Sequence, residues 1–143
     1  MKKPIFFLLF FCFFYISGFS QGTGGCGEIK VIQDKVPISF GIVIYSNDAE
    51  TVWNAFRLAN FSLEQGDTVS VFLLGKGVEI NSISNKDFDV AGQAGTFTEK
   101  GGKIFACGTC MNSRKIESSS LCPKSNLSEL YGMTRRCTKL LTF

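Results

Sequence analysis

The fold of this chain is decided by the run Ile38-Ser-Phe-Gly-Ile-Val-Ile-Tyr45, a nearly uninterrupted apolar stretch of strand length. A strand that is buried on both faces of a parallel sheet has this character. The residues Ser46-Asn-Asp48 follow, and polar side chains of these types often begin a helix. Apolar residues then recur at helical spacing as far as Gly66, at Val52, Ala55, Phe56, Ala59 and Leu63. We therefore predict a buried strand followed by an amphipathic helix.

The same alternation continues to the end of the chain. We predict further strands over residues 68–74, 103–106 and 138–143, and helices over residues 88–100 and 126–136. The last helix carries the apolar residues Leu127, Leu130, Tyr131 and Met133. Between the second strand and the next helix, Gly75-Lys-Gly77 predicts a β-turn, and residues 78–83 predict a single helical turn within a polar loop. Strands that alternate with helices predict an α/β fold whose parallel sheet is covered on both faces.

The N-terminal residues have the layout of a secretory signal peptide. Lys2 and Lys3 precede an apolar run over residues 5–16, and the small residues Gly18 and Ser20 follow it. We expect cleavage after Ser20. Residues 21–37 then form a linker and lead-in, which includes either an edge strand or an extended segment, and residues 38–143 form one domain. An uncleaved membrane anchor is an alternative, although the apolar run is shorter than the ~20 residues that span a bilayer. Lipidation at Cys26 is another.

Composition excludes several classes of function. Without the leader the chain has 13 basic and 12 acidic side chains, a balance that does not support nucleic-acid binding. Histidine is absent, which excludes Cys–His nucleophile pairs, histidine-ligated zinc and a histidine general base. Five cysteines remain after the leader, at positions 26, 107, 110, 122 and 137. Because this number is odd and export implies an oxidising compartment, at least one is free, lipidated or bonded to another molecule.

The candidate site is the pair Cys107 and Cys110, which form a C-x-x-C motif at the exit of the third strand. In parallel sheets, reactive groups lie at the carboxyl ends of the strands. A thiolate at Cys107 would be stabilised by a following helix N-terminus and by the positive charge of Arg114. Cys110 is close enough in sequence to act as the resolving thiol, which attacks a disulfide or persulfide formed at Cys107. We therefore predict that Cys107, Cys110 and Arg114 carry the chemistry.

Two structural interpretations compete with this chemistry. The pair can be a static disulfide or a small buried thiol, although so short a ring stabilises a fold little. It can also belong to a four-thiolate metal site with Cys122 and Cys137, although these two are not spaced like a second metal-binding pair. We expect no metal. The remaining residues predicted to contact substrate lie at strand ends or in the loop after the motif: Ser46, Asn47, Gly108, Thr109 and Cys122.

Three segments resemble the DsrE/DsrF-like proteins. They are residues 102–116, with Cys-Gly-Thr-Cys at 107–110 and Arg114 after it, the run Leu121-Cys-Pro-Lys-Ser125, and the closing Leu140-Leu-Thr-Phe143. Tyr45-Ser-Asn-Asp48 extends the resemblance to about residues 38–143. The resemblance implies a three-layer α/β/α flavodoxin-like domain with a mainly parallel sheet of about four to five strands, commonly assembled into homo-oligomers.

The best-understood members of that family are sulfur-relay proteins. In them a cysteine in this strand-end loop carries a persulfide and passes it to a partner. Cys107 matches that cysteine, and Arg114 lies near the family's basic residue. We therefore expect a periplasmic or secreted protein that handles sulfur or thiols without a cofactor, as a sulfurtransferase-like carrier or a thiol–disulfide exchange protein. Its partners would be a sulfur donor or acceptor or a thiol-reducing protein, with a membrane contact only through an uncleaved leader. The alternative is a non-enzymatic homo-oligomeric binding or assembly module whose C-x-x-C is a structural disulfide or metal clip.

Overall fold

A five-stranded sheet forms the centre of residues 36–143, the part of the chain that the computed structural model describes. The strands are β1 (Ser39–Ile44), β2 (Thr68–Leu73), β3 (Lys103–Cys107), β4 (Lys124–Ser125) and β5 (Lys139–Thr142). Their order across the sheet is β4-β3-β2-β1-β5, and every neighbouring pair is parallel. The predicted α/β fold with a mainly parallel sheet of about four to five strands is therefore confirmed.

Helical segments connect the strands of this described domain. They are α1 (Ala49–Glu64), a 3₁₀ helix (Gly75–Ser82), α2 (Val90–Glu99), α3 (Gly108–Arg114) and α4 (Leu127–Arg136). Asp48, Asp89 and Asn126 immediately precede α1, α2 and α4, and each side chain accepts a hydrogen bond from a backbone N–H of the first helical turn. These caps satisfy donors that have no partner within the helix. Of the three, only Asp48 belongs to the polar run from which the sequence analysis predicts a helix start.

Side chains on alternate residues of the central strands face two separate apolar clusters. Ile42 and Ile44 of β1 pack into the larger cluster, with α1, α2, α3 and the 3₁₀ helix. Val43 lies between them in sequence and packs with Phe72 of β2 and Met133 of α4 on the opposite face. The sheet is therefore covered on both faces, which explains why β1 and β2 are continuous apolar runs.

Two sequence predictions about the connections need correction. Gly75-Lys-Gly77 begins the 3₁₀ helix and is not a β-turn, because Val78 and Ile80 bury their side chains in the larger cluster and extend the helical turn. Lys124 and Ser125, predicted as loop, form β4 beside the end of β3. A two-residue strand carries no periodic pattern, so sequence alone does not reveal it.

The predicted apolar face of α4 is only partly buried. Met133 is buried against the sheet, whereas Leu127 and Tyr131 are exposed over 77% and 65% of their surface. Helical spacing placed all of them on one side of the helix, but it does not define how far the neighbouring sheet extends beneath that side.

Several predictions concern residues outside the described part of the chain. These are the signal peptide over residues 1–20, nearly all of the linker over residues 21–37, the possible edge strand and lipidation at Cys26. Within residues 36–143, no helix has both the length and the apolar character needed to cross a membrane.

Gly77 tests how closely the 3₁₀ helix must approach the sheet. A β-carbon at this position would overlap the backbone carbonyl of Ile44, a rigid neighbour. We expect Gly77→Ala to lower the free energy of unfolding by about 1–3 kcal/mol, measured by urea denaturation, because the helix must move away from the end of β1.

Gly95→Ala is the matched control, because Gly95 lies inside α2 and a β-carbon there has no neighbour within 4 Å. This variant should gain about 0.5–1 kcal/mol, since alanine is the better helix former. Equal effects of the two substitutions would contradict the close approach at Gly77.

Candidate thiol site

Cys107 lies where β3 ends and α3 begins. Its backbone is still extended, and its Sγ accepts a hydrogen bond from the backbone N–H of Cys110 at 3.3 Å. The cysteine therefore occupies the cap position of α3, where serine or aspartate is more usual. A backbone N–H that points at sulfur stabilises negative charge on that sulfur. The side chain is half-buried and contacts both apolar clusters.

Cys110 lies in the first turn of α3, beside Cys107. Its backbone N–H donates to the Cys107 Sγ, and the N–H of Gly75 donates to the Cys110 Sγ at 3.3 Å. Burial raises the pKa of Cys110, and the hydrogen bond and charge of Cys107 raise it further. The Gly75 N–H and the positive charge of Arg114 act in the opposite direction but do not cancel the rise in the pKa. Cys110 is therefore held as a neutral thiol near pH 7.

Gly108 and Thr109 separate the two cysteines and have different surroundings. Gly108 is buried, and a β-carbon there would lie 2.8 Å from the carbonyl oxygen of Ser125 in β4. The glycine thus allows α3 to begin directly against the edge strand. Thr109 is exposed, so of these two predicted substrate-contacting residues only Thr109 presents a side chain to solvent.

Cys122 is a third thiol, on the loop before β4. It is fully buried, and its Sγ donates a hydrogen bond to the Val78 carbonyl oxygen at 3.4 Å. Burial raises the pKa of this thiol. Cys122 belongs to the apolar cluster against which Cys107 and Cys110 also pack. The structure thus brings three of the predicted site cysteines to one end of the sheet.

Arg114 and Asn47 meet through a residue that the sequence analysis missed. Glu79 of the 3₁₀ helix accepts a hydrogen bond from the Arg114 Nε at 3.0 Å and from the Asn47 Nδ2 at 2.7 Å. The Arg114 Nη1 also donates to the backbone carbonyl of Cys110 at 3.3 Å. Ser46, by contrast, accepts a hydrogen bond from the N–H of Asp48 within its own turn.

The sequence carried a weak signal for Glu79. The residue follows a predicted strand closely, as Asn47 and Cys107 do, and the carboxyl ends of parallel strands lie at one edge of the sheet. An acidic residue in this position was therefore a candidate partner for the predicted basic residue. Gly75 was also missed as a hydrogen-bond donor to sulfur, because a backbone N–H has no side-chain signature.

The four thiols of the alternative metal site are not brought together. Cys137 lines a cavity with Ser39, Ser70 and Lys103, which lie in the amino-terminal halves of their strands, whereas Cys107 lies at the carboxyl end of β3. At about 3.3 Å per residue, the length of β3 alone places these two edges on the order of 13 Å apart. Cys107, Cys110, Cys122 and Cys137 are all free thiols, and within residues 36–143 no three His, Cys, Asp or Glu side chains are grouped as metal ligands.

Comparison with known proteins identifies the family and a similar fold. The model of the DsrE/DsrF-like family matches residues 39–143. A solved structure of a conserved protein of unknown function from Bacteroides thetaiotaomicron matches with a TM-score of 0.60 and 18% sequence identity, over 73% of this chain and 94% of that chain. That similarity concerns the fold alone. A search of curated proteins found no match. The family match spans the whole sheet and the thiol site, and the chain therefore belongs to the DsrE/DsrF-like family.

Proposed function

We propose that this protein transfers sulfur or exchanges thiols, with Cys107 as the nucleophile and Cys110 as the resolving thiol. One observation supports this most strongly: two adjacent thiols at the carboxyl edge of the sheet each accept a backbone N–H, from Cys110 to Cys107 and from Gly75 to Cys110. Membership of a family that includes sulfur-relay proteins supports it further.

In the first step, the Cys107 thiolate attacks the outer sulfur of a donor of the type R–S–SH. The S–S bond of the donor breaks, and R–S⁻ leaves with the electron pair and takes up a proton. Cys107 then carries a persulfide. Its half-buried position leaves one side open to a donor, while the N–H of Cys110 stabilises negative charge on the attacking sulfur.

The second step has two outcomes. An acceptor thiolate can take the outer sulfur and leave Cys107 as it began, which is relay. Alternatively, the Cys110 thiolate attacks the Cys107 Sγ, the bond to the outer sulfur breaks, HS⁻ leaves, and a Cys107–Cys110 disulfide forms. This outcome reduces the transferred sulfur to sulfide and oxidises both cysteines, so a protein dithiol must reduce the disulfide before the next turnover.

The raised pKa of Cys110 favours relay at neutral pH. A neutral Cys110 thiol attacks the persulfide slowly, which gives an acceptor time to bind. We assign to Arg114 the stabilisation of thiolate charge on Cys107 and Cys110. We assign to Asn47 and Thr109 the contacts with the sulfur donor. We place the protein outside the cytoplasm after removal of residues 1–20, with a sulfur donor, a sulfur acceptor and a thiol-reducing protein as its partners.

The alternative function, a homo-oligomeric assembly module with a structural C-x-x-C, is favoured by the surface of α4. Leu127, Leu130 and Tyr131 line an apolar hollow on this helix, and Leu127 and Tyr131 are largely exposed. A second copy of the chain would cover such a surface. Self-association is compatible with thiol chemistry. The two functions therefore differ in the role of Cys107 and Cys110, which react in the first and stabilise the structure in the second.

Cys110→Ser tests the resolving role. After incubation with a sulfane-sulfur donor, we expect Cys107 of this variant to keep the mass of one added sulfur at least about tenfold longer than the wild type, because intramolecular attack is removed. Intact-mass spectrometry and peptide mapping measure the adduct. Cys137→Ser, at the other edge of the sheet, should behave as wild type. Absence of any adduct on both the wild type and Cys110→Ser would contradict the proposed chemistry.

Sulfide release should depend on pH through Cys110. Since the pKa of this thiol is raised, its reactive thiolate is scarce at pH 7, and its population grows about tenfold for each pH unit below that pKa. We therefore expect release from the persulfidated wild type to accelerate with rising pH, measured with a sulfide electrode. Cys110→Ser provides the background rate. A rate that is flat or falls with rising pH would remove Cys110 from this step.

Cys107→Ser separates the two functions. Cys107 is a free thiol, and serine can also cap α3. We therefore expect the free energy of unfolding of this variant to lie within about 1 kcal/mol of the wild-type value. The oligomeric state should be unchanged, while sulfur uptake is lost. Denaturation and size-exclusion chromatography with light scattering provide the readouts. Loss of folding or of assembly in this variant would support the structural alternative.

A further inference from the structure

We propose that Glu79 is a positioning residue for the thiol site: its carboxylate holds Arg114 and offsets the guanidinium charge, which restrains the reactivity of Cys110. This inference rests on the proposed function only in taking Cys110 as a reacting thiol. It adds Glu79, a residue on a different element with no hydrogen bond to either sulfur, as a control on how readily the resolving step occurs.

Both oxygens of the Glu79 carboxylate are occupied. Oε1 accepts from the Arg114 Nε at 3.0 Å, and Oε2 accepts from the Asn47 Nδ2 at 2.7 Å. The three side chains come from the 3₁₀ helix, α3 and the turn between β1 and α1. This bridge therefore joins three segments that follow three different strands, and it fixes where the guanidinium of Arg114 lies.

Arg114 is the group through which Glu79 acts on the thiols. Its Nη1 donates to the backbone carbonyl of Cys110, so its positive charge lies near that residue. A cation beside a thiol favours the thiolate, and this is the direction in which Arg114 moves the pKa of Cys110. A carboxylate paired with the guanidinium weakens that effect, because the two opposite charges partly cancel at the sulfur.

The 3₁₀ helix itself does not depend on Glu79 for its position. Val78 and Ile80 are buried, and Gly77 packs against the carbonyl of Ile44. The hydrogen bond from the Gly75 N–H to Cys110 should therefore survive a change at Glu79. Glutamine keeps the side-chain shape and one acceptor oxygen, so Glu79→Gln removes the carboxylate charge and one of the two hydrogen bonds, from Arg114 or from Asn47.

Other charged and titratable groups lie on the elements around the Glu79–Arg114 pair and Cys110, and the experiment must leave them unchanged. Apart from Arg114 and Glu79 they are Cys107, Lys76 of the 3₁₀ helix, Asp48 before α1, and Cys122 and Lys124 before and in β4. Of these, Cys107 acts directly on the pKa of Cys110. The Lys124 Nζ donates to the Asn112 Oδ1 at 2.8 Å, which holds this cation on α3. A substitution at Glu79 leaves the other groups chemically unchanged.

The test is the rate of alkylation of Cys110 by iodoacetamide, followed by peptide mapping from about pH 6 to about pH 11. We expect Glu79→Gln to increase the rate about two- to fivefold near pH 8, with the midpoint of the pH profile moved down and the plateau at high pH unchanged. Arg114→Gln should slow the reaction and move the midpoint up. In the Arg114→Gln background, Glu79→Gln should have a smaller effect than in the wild type.

Glu64→Gln is the matched control, because Glu64 pairs with Lys100 on the side of the domain formed by α1 and α2. Its profile should coincide with that of the wild type. A purely structural role for Glu79 would instead raise the plateau rate without moving the midpoint, and that result overturns the proposal. So does a midpoint that stays in place or moves up.

Failure of this proposal is distinguishable from failure of the proposed function. Alkylation reports the reactivity of Cys110 whether or not Cys107 accepts sulfur. A moved midpoint with no persulfide on Cys107 would support the role of Glu79 and contradict sulfur transfer. A persulfide with an unmoved midpoint would do the reverse.

Discussion

The parallel register of β1, β2 and β3 is the constraint on which the rest of this domain depends. Ile44 pairs with Leu73, and Leu73 pairs with Ala106, so the three strands end together. The segments that follow them must therefore meet at one edge of the sheet. A shift of one residue would turn each strand's side chains to the opposite face, and because both faces are buried against different clusters, such a shift is strongly disfavoured.

The 3₁₀ helix supplies most of the contacts that connect the residues of the candidate site at this edge of the sheet. Its buried residues hold it against the end of β1, while its polar groups reach three neighbours: the N–H of Gly75 contacts Cys110, the carbonyl of Val78 accepts from Cys122, and the carboxylate of Glu79 contacts Arg114. Packing and chemistry therefore share one short element. Changes in how closely it packs would move three contacts at once.

Burial dominates the electrostatics of the Cys110 thiol. Arg114 and Glu79 are each about one-third exposed, with side-chain exposures of 32% and 31%, and ion pairs of this kind typically contribute only about 0.2–1 kcal/mol. Removal of the Cys110 sulfur from water is the larger effect, so the pKa of this thiol stays raised although a cation and a backbone N–H both favour its thiolate. Burial therefore has the largest effect on the pKa of Cys110, and the surrounding charges change that pKa by smaller amounts.

The sequence by itself determined the α/β class, the strands and helices with strong periodicity, and the position of Cys107 at a strand exit, because apolar period and capping residues are local signals. It did not reveal β4, which is too short to carry a periodic pattern. It also did not show which apolar residues of α4 are buried, because that depends on how far the sheet extends beneath the helix. Only the tertiary structure brought Glu79 to Arg114 and Asn47 and separated Cys137 from the other thiols. Those contacts join residues far apart in the chain, and strand order and register, which no local signal encodes, decide them.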